Sequence, residues 1–173
     1  ELRCPVILQA GPGCRTHTPM SVLGPMFRAL AEQAQVPVVC HIDHATTISE
    51  CQEGIDHGFT SVMIDGSRLQ LAENIALTAS TKEIAHPHGV SVEAEIGSVG
   101  YDDGALSRPT KPNEAAELFK QACPDALAIS VGNVHLQTSA ETVIDRAALA
   151  AIEAVVNCPL VLHGASGIKT EDR

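Results

Sequence analysis

Histidine residues recur at the ends of apolar runs in this sequence, in a pattern suited to binding a metal ion. His44, His135 and His163 each follow a different strand-like run. Three imidazoles with a fourth position left open form the ligand set of a catalytic zinc site. The alternative for each histidine alone is a solitary loop residue or a core residue with a satisfied hydrogen bond. Convergence of the three runs in one fold would favour the metal site.

The first of these runs, Pro-Val-Val-Cys-His-Ile-Asp-His at residues 37–44, ends in a cluster of ionisable groups. Burying such groups without partners is costly, so their presence needs a reason. Because neighbours on a strand alternate, Asp43 is expected to point to the side opposite His44. Near a divalent cation its carboxylate could transfer a proton, or it could orient a ligating histidine. His41 is expected to point inward, as a core histidine or as a partner of the site.

Two more carboxylates and a glycine-rich turn stand at the ends of other runs. Asp65 and Glu95 end the third and fourth runs. The turn His-Gly-Ala-Ser-Gly at 163–167 could offer backbone N–H groups and the Ser166 hydroxyl to an anion, as phosphate sites of barrels do. The same turn is equally compatible with an ordinary connection between a strand and a helix.

Six short apolar runs alternate with helical patterns along the chain. The strand-like runs cover 5–10, 37–42, 61–65, 90–96, 125–131 and 159–164. The helical patterns cover 19–34, 48–58, 71–89, 113–123 and 145–156. Continuous apolar runs of this length are typical of strands buried on both faces. The alternation therefore predicts parallel βα units.

Two α/β architectures fit this alternation, the doubly wound sheet and the (β/α)8 TIM barrel. No Gly-x-Gly-x-x-Gly follows the first run, which weakens the dinucleotide-binding doubly wound fold. Polar residues cluster at the carboxyl ends of the runs, where a barrel collects its catalytic groups. We predict one TIM-barrel domain over residues 1–173, with about six of the eight strands present.

Composition excludes several classes of partner. A net charge of −10 is the reverse of the basic footprint of a nucleic-acid-binding protein. With one Tyr, three Phe and no Trp, the chain offers few platforms for stacking bases. No apolar run approaches the roughly 20 residues that span a bilayer, so no membrane association is expected. The six cysteines form no Cys-x-x-Cys pair, and we expect reduced, mostly buried thiols and a cytoplasmic location.

Taken together, the motifs resemble the class II, metal-dependent ketose-bisphosphate aldolases of the fructose- and tagatose-bisphosphate types. The resemblance covers nearly the whole chain and keeps the family's motif order. The matching stretches are 37–67, 88–100, 125–135 and 159–168. The resemblance implies a (β/α)8 barrel whose first strand and C-terminal strand and helices are missing from these 173 residues. A longer natural protein is therefore expected.

The resemblance also implies residue roles. It places the zinc ligands on His44, His135 and His163. The family's acid/base aspartate, which handles the proton on the C4 hydroxyl, falls on Asp43. An alternative inner metal position in some members falls on Glu95 and Asp65.

Two loops complete the implied site. In the acidic loop, Asp102 or Asp103 takes the place of a second proton-transfer carboxylate. In the phosphate loop, Gly164 and Ser166 are retained. After His135, however, Leu136 and Ser139 replace the usual glycine and lysine of the other phosphate segment. This departure argues against the usual bisphosphate substrate.

The implied reaction is reversible cleavage of the C3–C4 bond of a ketose, phosphorylated or otherwise derivatised, to a three-carbon ketone such as dihydroxyacetone phosphate and an aldehyde. Zinc or another divalent metal polarises the carbonyl. The resemblance further implies a role in carbohydrate metabolism such as glycolysis, a homodimer or homotetramer, and a monovalent cation beside the phosphate site. The alternatives are a metal-dependent hydrolase on the same barrel, which would more often carry a His-x-His pair on its first strand, and a non-catalytic homologue.

Overall fold

The computed structural model describes residues 3–101, 107–136 and 142–169. Within these ranges the strands are β1 (Val6–Ala10), β2 (Val38–Ala45), β3 (Ser61–Ile64), β4 (Ser91–Ile96), β5 (Gly100–Tyr101), β6 (Ala126–Ile129), β7 (Val134–His135) and β8 (Leu160–Val161). The α-helices are α1 (Pro12–His17), α2 (Met20–Gln33), α3 (Ile48–Asp56), α4 (Leu71–Ala85), α5 (Pro112–Ala122) and α6 (Arg146–Glu153). Single 3-10 turns cover His86–His88 and Ala165–Gly167.

The main sheet contains all six predicted strands in chain order, β1-β2-β3-β4-β6-β8. Every pairing in it is parallel. The order shows no reversal of the kind that defines a doubly wound sheet. The sheet is thus part of a TIM barrel, as predicted, and its carboxyl ends lie together at one face.

The core consists of aliphatic side chains, as the low aromatic content requires. One cluster packs α2 and α3 onto the first strands, where the rings of Phe27 and Phe59 meet edge to face with centroids 5.7 Å apart. A second cluster packs α5 and α6 onto the later strands through Leu118, Leu127 and Ile152. Burying one such side chain contributes about 1.5–3 kcal/mol. These two clusters fix the strands whose ends carry the polar residues.

Helix α3 starts immediately after the polar end of β2. Thr47 is its N-cap and forms a capping box with Glu50. The helix then packs so tightly on β2 that a Cβ added to Gly54 would lie 2.7 Å from Ile42 Cγ1. Both features hold the segment that contains Asp43 and His44 between a strand and a fixed helix start.

The sequence pattern does not predict α1, β5 or β7. Helix α1 has six residues, and none of them is a buried apolar residue, so it shows no apolar periodicity. Strands β5 and β7 have two residues each and pair with each other outside the main sheet. Elements this short give no recognisable period, although β7 carries His135.

The six cysteines are free thiols, but the expectation that most are buried is wrong. Cys40 and Cys51 are buried, while Cys4, Cys14 and Cys123 are exposed. The exposed cysteines lie before the first strand, in α1 and at the end of α5, which are positions outside the two core clusters. In the described part of the chain, no helix is both long and apolar enough to span a membrane.

Candidate metal centre

The three predicted histidines meet at the carboxyl end of the sheet. His44 is the penultimate residue of β2, His135 lies in β7 and His163 follows β8. Each offers a ring nitrogen, and these nitrogens lie within 4.8 Å of one another. The ring centroids are 4.6 to 5.6 Å apart. This spacing allows one metal ion to contact all three rings.

Asp43 and His44 face the same site, so the expectation that they point to opposite sides is wrong. His44 has a φ of 51°, in the left-handed region. The register between β2 and β3 shifts between Ile42 and Ala45. Asp43 Oδ1 therefore lies 3.9 Å from His44 Nε2 and 3.7 Å from His163 Nδ1. Strict alternation holds only for continuous extended backbone, which His44 interrupts within β2.

His44 is oriented by the carboxylate of Asp65. Its Nδ1–H donates to Asp65 Oδ2 at 2.9 Å, which turns Nε2 toward the cluster. Burial raises the pKa of Asp65, but the hydrogen bonds from His44 and Ser67 outweigh it and hold that pKa at about 2. Burial lowers the pKa of His44, yet the carboxylates of Asp65, Asp43 and Glu95 together raise it above its usual range.

Glu95 is the most buried carboxylate of the site, with 1% of its surface exposed. Its Oε1 accepts from the backbone N–H of Val99, and its Oε2 lies 3.5 Å from His44 Nδ1. Burial and the neighbouring charge of Asp65 raise the pKa of Glu95 to about 7. His44, Asp65 and Glu95 form a second group whose ligand atoms lie within 4.8 Å of one another. The group contains Asp65 and Glu95, the two residues predicted for the inner metal position.

His163 is held by a buried polar network of Glu93, which the sequence analysis does not assign to the site, and His41, for which it leaves a core role and a site role open. Its Nε2–H donates to Glu93 Oε1 at 3.0 Å, so Nδ1 faces Asp43. The second oxygen of Glu93 lies 3.7 Å from His41 Nε2, and His41 Nδ1 is hydrogen-bonded to Ser61 Oγ at 2.8 Å. Burial lowers the pKa of His41 despite the nearby carboxylates. His41 thus points inward, and Glu93 could have been found because it shares a strand face with Glu95.

The contact between Glu93 and His163 predicts that Glu93 supports metal binding. Replacing Glu93 with Ala removes the group that fixes the tautomer and orientation of His163, and such outer partners typically change metal affinity by about 10–100-fold. We expect the dissociation constant for Co²⁺, measured by calorimetry, to rise by that factor. Glu83→Ala, at an exposed carboxylate on α4, is the matched control. Unchanged affinity in Glu93→Ala would show that Glu93 is only a core residue.

The turn after β8 brings His163 and His135 together. Gly164 has a φ of 71°, and a Cβ there would lie 2.1 Å from the carbonyl oxygen of Val134, so glycine is required. Asn133, also unassigned by the sequence analysis, is fully buried and donates to the His163 carbonyl at 2.9 Å. Ser166 lies exposed in the 3-10 turn that follows. Asp102, Asp103 and Ser139 lie outside the described residues.

The donor set fits a divalent cation. Four buried side-chain atoms of the described residues have no hydrogen-bond partner, and three belong to this cluster: Asp43 Oδ1, His44 Nε2 and Glu95 Oε2. His44 Nε2 and Glu95 Oε2 belong to groups that could hold a cation, and each carries a lone pair that a cation would satisfy. Asp43 Oδ1 faces the same histidines from outside those two groups. Burial and the charges of His44 and His163 lower the pKa of His135 to about 4, which keeps its ring neutral, as a metal ligand must be.

A partial TIM barrel with such a cluster at its carboxyl face has the architecture of a metal-dependent barrel enzyme. The model of the class II fructose-bisphosphate aldolase family matches residues 1–173, and the chain belongs to this metal-dependent family.

Known relatives agree with this assignment. The chain is 44% identical over 151 residues to the 6-phospho-5-dehydro-2-deoxy-D-gluconate aldolase of Bacillus velezensis, covering 84% of this chain and 52% of the relative. It is 45% identical over 136 residues to the Bacillus subtilis protein of the same name, covering 77% and 47%. The crystal structure of the YdjI aldolase from Escherichia coli K12 superposes with a TM-score of 0.84 at 34% identity, over 97% of this chain and 60% of that one. The chain spans about half the length of the curated relatives it matches.

Proposed function

We propose that this protein is a zinc-dependent class II aldolase that reversibly cleaves the C3–C4 bond of a phosphorylated keto sugar to dihydroxyacetone phosphate and an aldehyde. The observation that carries the proposal is the convergence of the three histidine rings with Asp43 Oδ1, which has no hydrogen-bond partner among the described residues. Three histidines with an open position favour zinc among the divalent metals. His44 would bind through Nε2 and His163 through Nδ1, because their other nitrogens are already engaged.

The mechanism gives each proposed site residue one task. When bound, the metal supplies Lewis-acid polarisation of the substrate carbonyl. With carbons numbered as in a ketose, from the end nearer the carbonyl, the Asp43 carboxylate takes the proton of the C4 hydroxyl as the C3–C4 bond breaks, and the aldehyde leaves. Asp65 and Glu93 hold His44 and His163 in the tautomers stated above. Asp102 or Asp103 returns a proton to C3 of the three-carbon product.

The substrate class proposed is a phosphorylated keto-sugar acid, the kind of compound that the names of the Bacillus relatives state. A cavity of about 350 Å³ adjoins the histidine cluster, and Arg68 is one of its lining residues. Within the described part of the chain, Arg68 forms no ion pair. Its guanidinium is therefore available to a phosphate or carboxylate group, which compensates for the absence of the family's lysine after His135.

A retro-aldol assay tests the proposal. The natural protein, supplied with Zn²⁺, is given fructose 1,6-bisphosphate, tagatose 1,6-bisphosphate and 6-phospho-5-dehydro-2-deoxy-D-gluconate, and dihydroxyacetone phosphate is detected with glycerol-3-phosphate dehydrogenase. We expect release from the sugar acid in preference to the bisphosphates. No release from any substrate by the metal-loaded protein would favour a non-catalytic homologue, and phosphate release alone would favour a hydrolase. A homodimer or homotetramer and a monovalent cation beside Gly164 stay predictions.

A further inference from the structure

Arg15, in the short helix α1, is a buried cation bound to the carboxyl ends of two strands. Only 7% of its side chain is exposed. One guanidinium nitrogen donates to the carbonyls of Ala10, at 2.6 Å, and Asp43, at 2.5 Å, and the other donates to the carbonyl of His44 at 3.2 Å. Glu50, at the start of α3, lies 3.5 Å from the same group and balances its charge. Arg15 thereby links α1, β1, β2 and α3.

Two of these three carbonyls flank the Cα atom of His44. The orientation of the Asp43–His44 peptide plane sets φ of His44. The orientation of the next peptide plane, which carries the His44 carbonyl, sets its ψ. A guanidinium is a planar fork, so binding both oxygens fixes both peptide planes relative to each other. His44 needs this support because its φ of 51° is unfavourable for a residue with a Cβ.

The left-handed backbone at His44 is also what the metal centre depends on. It places Asp43 Oδ1 3.9 Å from His44 Nε2, whereas continuous strand geometry would separate the two side chains. We propose that Arg15 is a positioning residue: by binding the two carbonyls that flank His44, it holds Asp43 and His44 toward one metal ion. This inference rests on the proposed function in so far as the site binds a divalent metal.

Electrostatics and positioning predict opposite effects, which makes the inference testable. A cation near a metal site repels the metal, so loss of the Arg15 charge alone would tighten metal binding. Loss of the hydrogen bonds from Arg15 to the two carbonyls would weaken metal binding, because outer partners of metal ligands typically contribute about 10–100-fold in affinity. Arg15→Lys retains the charge, but a single ammonium cannot present the fork that both carbonyls bind.

The experiment measures the dissociation constant for Co²⁺ by calorimetry on the metal-stripped natural protein and on the Arg15→Lys and Arg15→Ala variants. We expect a rise of about tenfold or more in both variants. Arg28→Ala, which removes an exposed arginine paired with Glu32, serves as the control and should leave the constant unchanged. Circular dichroism spectra of the metal-free proteins check that each variant is folded.

Chemical rescue keeps the test valid if Arg15→Ala is less stable. Low millimolar guanidinium should restore Co²⁺ affinity to Arg15→Ala, since a cavity of about 340 Å³ adjoins the Arg15 side chain, while NaCl at equal ionic strength should not. An unchanged constant in both variants, or tighter binding by Arg15→Ala, would overturn the inference alone. If the unaltered protein binds no Co²⁺, the proposed function is overturned and this inference with it.

Discussion

Replacing Asp43 with Ala should lower kcat for the retro-aldol reaction by about 10²–10⁴-fold, the usual contribution of a general acid or base. The carboxylate is buried beside two candidate metal ligands, and its Oδ1 has no hydrogen-bond partner among the described residues. The proposed mechanism gives this carboxylate the proton of the substrate hydroxyl. Each tenfold loss corresponds to about 1.4 kcal/mol of transition-state stabilisation, so the expected cost is about 3–5 kcal/mol.

The same variant should keep its metal, because the proposed ligands are His44, His135 and His163 and do not include Asp43. Metal content by atomic absorption and kcat by the coupled assay are measured on one preparation. Asp56→Asn, at an exposed residue of α3, is the control for loss of a carboxylate and should retain full turnover. Turnover that survives in Asp43→Ala, or metal that disappears with it, would contradict the assigned role.

Replacing His44 with Ala should abolish turnover and weaken metal binding by more than about 100-fold. That factor is the largest loss of metal affinity typical for residues that only support a ligand. His44 supplies one of three ring nitrogens, and its Nε2 is buried without a hydrogen-bond partner among the described residues. Its loss also removes the ring nitrogen that lies 2.9 Å from Asp65 Oδ2 and 3.5 Å from Glu95 Oε2.

The measurement for His44→Ala is a Zn²⁺ or Co²⁺ titration by calorimetry alongside the coupled assay. His88→Ala, in the exposed 3-10 turn after α4, is the matched control and should behave like the unaltered protein. If His44→Ala bound the metal with unchanged affinity, His44 would not be a ligand, and the carboxylates of the site would be the next candidates.

The main sheet and the meeting of the histidines were predictable from sequence because parallel βα units impose both. Each apolar run becomes a parallel strand, so the residue that ends it lies at the same face as the ends of the others. The residue types at those ends, His44 and His163 with Asp65 and Glu95, then indicate a metal centre. These predictions need only the order of the strands and the residue types at their ends, and no side-chain conformation.

Other features of the site depend on local backbone that no sequence pattern reveals. The left-handed conformation of His44 is unusual for a histidine, so alternation predicts the wrong side for Asp43. Arg15 binds the carbonyl of Asp43, which is 28 positions away in the chain. Helix α1 has no buried apolar residue that would predict this contact. Glu93 lies within a recognised motif, yet only the distance to His163 shows what it contacts.

Metal reconstitution measured together with turnover tests the central claim most directly. The natural protein is stripped with a chelator and titrated with Zn²⁺, while bound metal and dihydroxyacetone phosphate release are followed in the same samples. We expect turnover to vanish on stripping and to return in proportion to bound metal, reaching its plateau at one ion per chain. Turnover that persists after complete removal of metal, or metal that binds without restoring release from any tested substrate, would contradict the assignment.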